Sequence, residues 1–387
     1  MAKNISVGID IGTYQVKVVV AEKIREGDKI VPHVIGTGFA ESKGLRHGYI
    51  INSADVIKSI GQAVSQAEKA TGVQIKKAFI SVGGIGLSSV VTQGSVIISR
   101  ADSEITELDL AKAVESCQSE IPASLSLNRT IVHTIPLAYK IDGKLVLGKP
   151  LGMKASKLEI KTLFILGLEN HIDDLIDALG EAGIDVIDIM ASPIAASLVT
   201  LTKTQKIAGC VLANIGAETV SIVVFENNMP ISLEVFPIGS TDITNDIALG
   251  LRIPLEEAEQ IKLGSIVGGN YPRKKLEEII SARLSDMFEL IEAHLKKIGR
   301  NGLLPAGIII TGGGSGLGTL EDFAKSALKI PSRIGSIMFD NGNNGNTKGQ
   351  IKDSTWSVAY GLSIFGFSVD DDNDLGFKGF VVSDWYG

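Results

Sequence analysis

Val7-Gly-Ile-Asp-Ile-Gly-Thr-Tyr-Gln-Val-Lys-Val-Val-Val20 and Val211-Leu-Ala-Asn-Ile-Gly-Ala-Glu-Thr-Val-Ser-Ile-Val-Val224 are two copies of one pattern, 204 residues apart. Each copy is a β-rich run, a turn with a glycine and a second β-rich run, which reads as a hairpin. Asp10 aligns with Asn214 and Gly12 with Gly216. A glycine at a strand turn lets backbone N–H groups come close to phosphate oxygens. The hydroxyl of Thr13 adds a donor, and Asp10 at the strand end can hold a hydrated Mg²⁺, which binds through few carboxylates and several waters. One such turn alone is more often a plain hairpin. Two in register point to a pair of hairpins that grip an anion from opposite sides.

Two further elements extend the pattern. Thr311-Gly-Gly-Gly-Ser-Gly316 lies between a short apolar strand and a helix. Glycines there admit a flat ligand, and a helix N-terminus favours anions. No Gly-Lys-[Ser/Thr] follows, so this is not a Walker A loop, and no Gly-x-Gly-x-x-Gly opens the chain, which disfavours a dinucleotide fold. In Ala258-Glu-Gln-Ile-Lys-Leu-Gly264, Glu259 and Lys262 are three apart and share a helix face. They suit a ribose or the edge of a purine, although a surface ion pair is the commoner meaning of an isolated Glu-x-x-Lys.

The totals set the frame. A chain of 387 residues is long enough for two sizeable domains of about 100–200 residues each. A net charge of −7 offers no basic field for nucleic acid. No signal peptide is expected, and no apolar run reaches the ~20 residues that span a bilayer. Cys117 and Cys210 read as reduced core thiols, and the five scattered histidines lack metal-ligand spacing.

Along the chain, the hairpin at 5–22 leads to a strand near 31–40 and a polar turn with Gly44 and Gly48. A helix is expected at 53–71, capped by Ser53 and stopped by Gly72, and a strand at 77–82. Residues 85–165 read as a compact α+β unit with strands at 95–99, 130–141 and 158–165 and a helix opened by Thr106-Glu-Leu-Asp109. Helices at 171–183 and 191–202 precede the second hairpin, and a strand is expected at 231–237. The apolar stripe Leu276, Ile280, Leu284, Met287, Ile291 and Leu295 sets a long helix at 276–298, with Gly299 beyond its end. A strand at 308–311 and a helix at 318–328 follow. Residues 340–352 read as an exposed Asn/Gly loop, and 370–374 as the acidic start of a tail.

In order and spacing these four elements resemble the actin-like ATPase superfamily, and within it the FtsA family of bacterial cell division. The resemblance covers about residues 4–367. Ile238-Gly-Ser-Thr-Asp-Ile-Thr-Asn-Asp-Ile-Ala248, Ala258–Gly264, Thr311–Gly314, Ile141-Asp-Gly143 and Pro150-Leu-Gly-Met153 carry it, together with an insertion after the strand at 77–82 and Ser354-Thr-Trp-Ser-Val-Ala-Tyr-Gly361 near the end. The resemblance implies an α/β fold of two related ribonuclease-H-like halves with a small α+β subdomain inserted in the first. The expected divisions are 1–84, 85–165, 166–367 and a flexible acidic tail at 368–387.

The resemblance also implies ATP with Mg²⁺ as ligand. Asp10, Gly12 and Thr13 would contact phosphate and metal on one side, with Asp10 reaching Mg²⁺ through water. Asn214, Gly216, Ala217 and Thr219 would do so on the other. Glu259 and Lys262 would hold ribose and adenine over a floor of Gly312, Gly313, Gly314 and Ser315. Partners so implied are further copies of the chain in longitudinal filaments, the C-terminal peptide of FtsZ and other divisome proteins, at the cytoplasmic face of the cell membrane. Arg273, Lys274, Lys275 and Arg283 are the basic residues of the long helix that would meet an acidic peptide.

Three departures weaken catalysis on this reading. Asn214 cannot give Mg²⁺ the charge of Asp; Ala217 and Glu218 replace glycines of the family's Asp-Ile-Gly-Gly-Gly-Thr turn; and Ser192-Pro193 stands where an acid or Gln would orient water. The tail lacks the basic amphipathic helix that lies on lipid, leaving Phe377, Phe380, Trp385 and Tyr386 or a protein partner to anchor it. Two other functions share some of these features. A PilM-like adaptor of a type IV pilus has the same fold. A sugar or acid kinase would need a catalytic Asp facing a substrate pocket, for which no supporting constellation is evident.

Overall fold

A computed structural model describes residues 5–26, 29–265, 271–337 and 353–371. The first part runs β1 (Ile5–Ile11), β2 (Gln15–Glu26), β3 (Lys29–Glu41), the two-residue strands β4 (Leu45–Arg46) and β5 (Tyr49–Ile50), α1 (Ser53–Thr71) and β6 (Lys77–Val82). An inserted unit follows: β7 (Ser88–Ile97), α2 (Glu107–Ser119), α3 (Ala123–Ser126), β8 (Arg129–Ile141), β9 (Lys144–Val146) and β10 (Lys157–Leu168). Next come α4 (Glu169–Glu181), β11 (Asp185–Ala191), α5 (Ser192–Thr200) and α6 (Lys203–Ala208). The second part holds β12 (Cys210–Ile215), β13 (Val220–Glu226), β14 (Met229–Phe236), α7 (Ser240–Leu251), α8 (Leu255–Lys262) and α9 (Arg273–Lys297). It ends in β15 (Ile308–Thr311), α10 (Leu320–Leu328), β16 (Ser332–Ile334) and α11 (Ser357–Asp371).

The duplication seen in the sequence is a duplication of sheets. One five-stranded sheet has the order β11-β6-β1-β2-β3 and the other β16-β15-β12-β13-β14. In each, an antiparallel meander of three strands is extended by two parallel strands on the side of its first strand. The hairpins match in register: Ile11 faces Val16, and Ile215 faces Val220. Central strands buried on both faces are continuous apolar runs, as Val18–Ala21 and Ile222–Phe225 are.

No strand is expected at 185–191, and those residues are assigned to the second half; β11 instead pairs with β6 in parallel. A parallel pair needs a crossover. Here the crossover is α4, and the inserted unit is spliced in between β6 and α4. The first sheet therefore gathers strands from both sides of the insertion. The inserted unit has its own sheet, β7-β10-β8-β9, with α2 packed on it through Leu110, Ala113 and Cys117.

The chain end closes the first half. Helix α11 lies on β1 and α5, and both approaches require glycine. A Cβ on Gly8 would collide with the Ala359 carbonyl, and one on Gly361 with the carbonyl of Ala195. This close packing fixes α11 against the strand that carries Asp10.

Local expectations hold with small shifts. The N-cap of α1 is Asn52, whose Oδ1 accepts from the Asp55 N–H, rather than Ser53. Gly72 ends α1 in the left-handed region. Before α2, the Thr106 N–H donates to Asp109 at 2.9 Å. The strand expected at 95–99 is the far end of the longer β7. The Asn/Gly loop at 340–352 and the acidic tail from residue 372 lie outside the described residues.

Candidate functional site

Both glycine turns sit at the carboxyl ends of equivalent strands and close the same way. The Gly12 N–H donates to the Gln15 carbonyl at 3.2 Å, and the Gly216 N–H to the Thr219 carbonyl at 2.8 Å. Thr13, Ala217 and Thr219 are half-buried beside them. The second turn is braced from behind by α7: Ser240 and Thr241 donate their N–H groups to the carbonyls of Gly216 and Ala217.

Asp10 ends β1 opposite Lys17. Its Oδ1 accepts from Ser81 Oγ at 2.8 Å. Burial raises the carboxyl above its ordinary range, while the Ser81 bond and the Lys17 charge pull it back. Lys17 is itself drawn down by burial and held up by Asp10. Its Nζ donates to the Thr355 carbonyl at 2.7 Å and lies 5.6 Å from the centre of the Trp356 ring. The carboxylate thus has a fixed orientation and one oxygen free of Ser81.

Asn214 takes the place of Asp10 in the second half, opposite Ser221 instead of a lysine. Its neighbour in β15 is Thr311, the counterpart of Ser81, but the Thr311 hydroxyl turns to the Ser354 carbonyl at 2.9 Å. At this position the second copy is therefore neutral where the first sets a half-buried carboxylate opposite a half-buried lysine.

The glycine run after β15 divides into two kinds of residue. Gly312 is buried at φ +92°, and a Cβ there would strike Asn214 Oδ1, so only glycine fits. Gly314 packs on Ile215, and Ser315 is buried with its Oγ on the Gly312 carbonyl at 2.7 Å. Gly313 alone of these is exposed, and a Cβ on it would meet nothing within 4 Å. Of the expected floor, Gly313 presents the open surface and its neighbours hold it in place.

Glu259 and Lys262 form a pair 2.7 Å apart, but not a free one on the surface. The Lys262 side chain is 6% exposed. Its Nζ donates to the Ser240 carbonyl at 3.1 Å and to Thr244 Oγ1 at 2.8 Å, and Thr244 Oγ1 donates to Glu259. The pair ties α8 to the N-terminal turns of α7, which brace the second glycine turn. Half-exposed Glu259 is the member turned outward.

Ser192, at the start of α5, is 8% exposed and its Oγ lies 3.2 Å from where a Cβ on Gly83 would be. Arg283 does not offer a free charge: it grips Asp246 through Nε at 2.7 Å and a terminal nitrogen at 3.1 Å, and reaches Asp286 at 3.3 Å. Arg273, Lys274 and Lys275 remain exposed at the start of α9.

Residues missed in the sequence are Lys17, Ser81, Ser240, Thr244 and His47. Ser81 was there to be found, because Ala78–Gly84 aligns with Ile308–Gly314 once the two sheets are matched. His47 left no such trace. Its N–H donates to Glu218 Oε2, and its Nδ1 lies 3.3 Å from the Glu218 carbonyl. This joins the β4–β5 turn of the first half to the second glycine turn. Among the described residues no cluster of three or more His, Cys, Asp or Glu could hold a metal on protein ligands alone.

Comparison with known proteins agrees with this architecture. The family model "Cell division protein FtsA" matches residues 211–361, and "SHS2 domain inserted in FTSA" matches 84–166. The chain is 29% identical over 388 residues to the cell division protein FtsA of Pseudomonas aeruginosa, covering 95% of this chain and 90% of that protein. It is 30% identical to those of Bacillus subtilis, over 351 residues (85% of this chain, 78% of the relative), and Neisseria meningitidis, over 376 residues (92% and 88%). Among solved structures, the PilM-PilN type IV pilus biogenesis complex superposes with a TM-score of 0.66 at 16% identity, covering 94% of this chain and 98% of that one. MreB5 of Spiroplasma citri bound to ADP superposes with 0.55 at 12%, covering 97% and 99%. These two likenesses show a shared actin-like fold. With its duplicated sheets, its insertion between β6 and α4 and this similarity along nearly its whole length, the chain belongs to the FtsA family of bacterial cell division proteins.

Proposed function

We propose that this FtsA-family chain binds ATP with Mg²⁺ between its two glycine turns, assembles into longitudinal filaments, and tethers FtsZ at the inner face of the cell membrane. The observation that carries the nucleotide part is the pair of equivalent turns, Gly12 and Gly216, each closed on the residue three further on, at matching ends of matching sheets.

The residues present fit such a ligand. Gly12, Thr13, Gly216, Ala217 and Thr219 would supply donors to phosphate oxygens. Asp10, half-buried and oriented by Ser81, would hold Mg²⁺ through water. Bound Mg²⁺ neutralises phosphate charge. Gly313, over Gly312, Gly314 and Ser315, gives a base an unobstructed surface, and Glu259 is placed for a ribose hydroxyl, with Lys262 and Asn214 supporting rather than touching the ligand.

Turnover is expected to be very slow. Phosphoryl transfer depends on positioned charge and an oriented water. The second turn is neutral at Asn214, and buried Ser192 stands where α5 would present a water-orienting side chain. The site therefore suits nucleotide-dependent assembly better than hydrolysis. No helix among the described residues is long and apolar enough to cross a membrane, so membrane attachment is assigned to peripheral contact or to a partner.

Sedimentation of the purified protein with ATP, ADP or no nucleotide, with and without vesicles containing anionic lipid, tests this reading. Filaments in the ATP pellets support it. Nucleotide binding without filaments in any condition would favour a PilM-like adaptor, the reading the pilus-complex superposition also allows.

A further inference from the structure

We propose that Glu218 and His47 form a clasp across the cleft that nucleotide phosphate opens, and that the clasp reports this event to the root of the inserted unit. The proposal rests on the reading that ATP binds at the second glycine turn.

The clasp follows from local geometry. Arg46 pairs with Tyr49, and His47 and Gly48 between them both have positive φ, +50° and +89°. A two-residue hairpin with two positive φ angles is a type I′ turn. Its first central N–H points out of the ladder and needs an acceptor. Glu218 supplies one with its carboxylate, and its own carbonyl lies 3.3 Å from His47 Nδ1. Glu218 belongs to the four-residue turn 216–219, whose backbone is pinned by α7. The carboxylate therefore cannot leave His47 by moving the turn as a whole; it must rotate away.

The same β4–β5 turn holds the inserted unit. The His47 carbonyl accepts from the Ile85 N–H at 3.3 Å, and Gly48 packs directly on Gly84. Gly84 and Ile85 are the strand-to-insertion linker after β6. Next to them the Tyr49 hydroxyl lies where a Cβ on Gly86 would be, and Arg129 donates to the Gly86 carbonyl at 2.8 Å. A continuous chain of contacts thus runs from the second glycine turn through Glu218 and His47 to the linker.

Phosphate and the Glu218 carboxylate are like charges on one short turn, so each disfavours the other. Bound ATP should weaken the hold of Glu218 on His47, and by reciprocity the charge of Glu218 should weaken ATP. His47 is a positioning residue in this scheme and touches no ligand.

Amide hydrogen exchange together with equilibrium binding of ATP and Mg²⁺ tests the clasp on the full chain. In the wild type, ATP should speed exchange at 45–49 and at Ile85. Glu218→Gln keeps an acceptor without charge; it should bind ATP roughly fivefold more tightly and keep slow exchange with or without ATP. Glu218→Ala should exchange fast at both places even without ATP. His47→Gly keeps the backbone donor and should behave as wild type. Unchanged exchange on adding ATP to wild type, or Glu218→Ala matching wild type without ATP, would overturn the proposal. If wild type binds no ATP, the nucleotide reading fails and the coupling with it, and the Glu218→Ala exchange alone then decides whether the clasp exists.

Discussion

The two sheets of this protein are built to one plan and differ in charge. In the first, Asp10 faces Lys17 and takes a bond from Ser81; in the second, Asn214 faces Ser221, and Thr311 turns away to α11's approach at Ser354. The turns themselves keep the same closing hydrogen bond. Backbone donors and glycine space are thus retained in both copies, while the strand-end carboxylate is retained in one. A fold can bind an anion with two neutral cradles, but holding a metal and moving a phosphoryl group needs charge in place. On the proposed reading the first half would hold the metal and the second would grip phosphate through backbone donors.

The largest effect should come from breaking the contact that the first half has and the second lacks. Gly361→Val forces a side chain into the Ala195 carbonyl between α11 and α5. It should destabilise the protein by about 3 kcal/mol, read as a lower denaturant midpoint. A matching insertion at Gly180, where a Cβ meets nothing within 4 Å, should leave the midpoint in place.

Acid should strain the molecule through buried histidines, of which His133 and His294 are the most displaced. His133 accepts the Ala191 N–H at 2.9 Å, and His294 lies 2.8 Å from Ser232 Oγ; burial pulls each down to about 4 from 6.5. Between those values the unfolded chain binds the extra protons, so stability is full above pH 6.5 and falls as pH drops toward 4. Each histidine should account for about 2 kcal/mol by pH 5. Unfolding midpoints of His133→Asn and His294→Gln measured from pH 7 to 5 check this; each variant should show a shallower decline than wild type.

Exchanging the charges tests the assignment of metal. Asp10→Asn makes the end of the first strand neutral, as Asn214 makes that of the second, and should weaken Mg²⁺-dependent ATP binding about tenfold with little change without Mg²⁺. Asn214→Asp should strengthen the Mg²⁺ dependence. Equal loss with and without Mg²⁺ in Asp10→Asn would remove Asp10 from the metal. The smallest effect is expected from Ser81→Ala, which deletes one hydrogen bond to Asp10 and should cost about 1 kcal/mol of stability, measured by denaturant unfolding.

Much of this architecture was legible because the repeat is written in the local pattern. Both hairpins, α1, β6, β15 and the long α9 follow from apolar periodicity and glycine stops such as Gly72 and Gly299, which do sit at positive φ. What escaped depends on contacts between distant segments. The pairing of β11 with β6 is separated in sequence by the whole insertion. The burial of Lys262 against α7 cannot be told from a surface Glu-x-x-Lys by spacing, and Arg283 reads as a free charge until Asp246 is seen beside it. His47 lies in a turn whose importance comes entirely from Glu218, 171 residues away.

The central claim is that ATP lies between the two turns, over Gly313. Gly313→Glu tests it most directly, since the position is exposed and a Cβ there meets no protein atom within 4 Å. Titration calorimetry with ATP and Mg²⁺ should find binding in the wild type and none in Gly313→Glu, at an unchanged unfolding midpoint. Undiminished binding by the variant would place the nucleotide elsewhere and contradict the account.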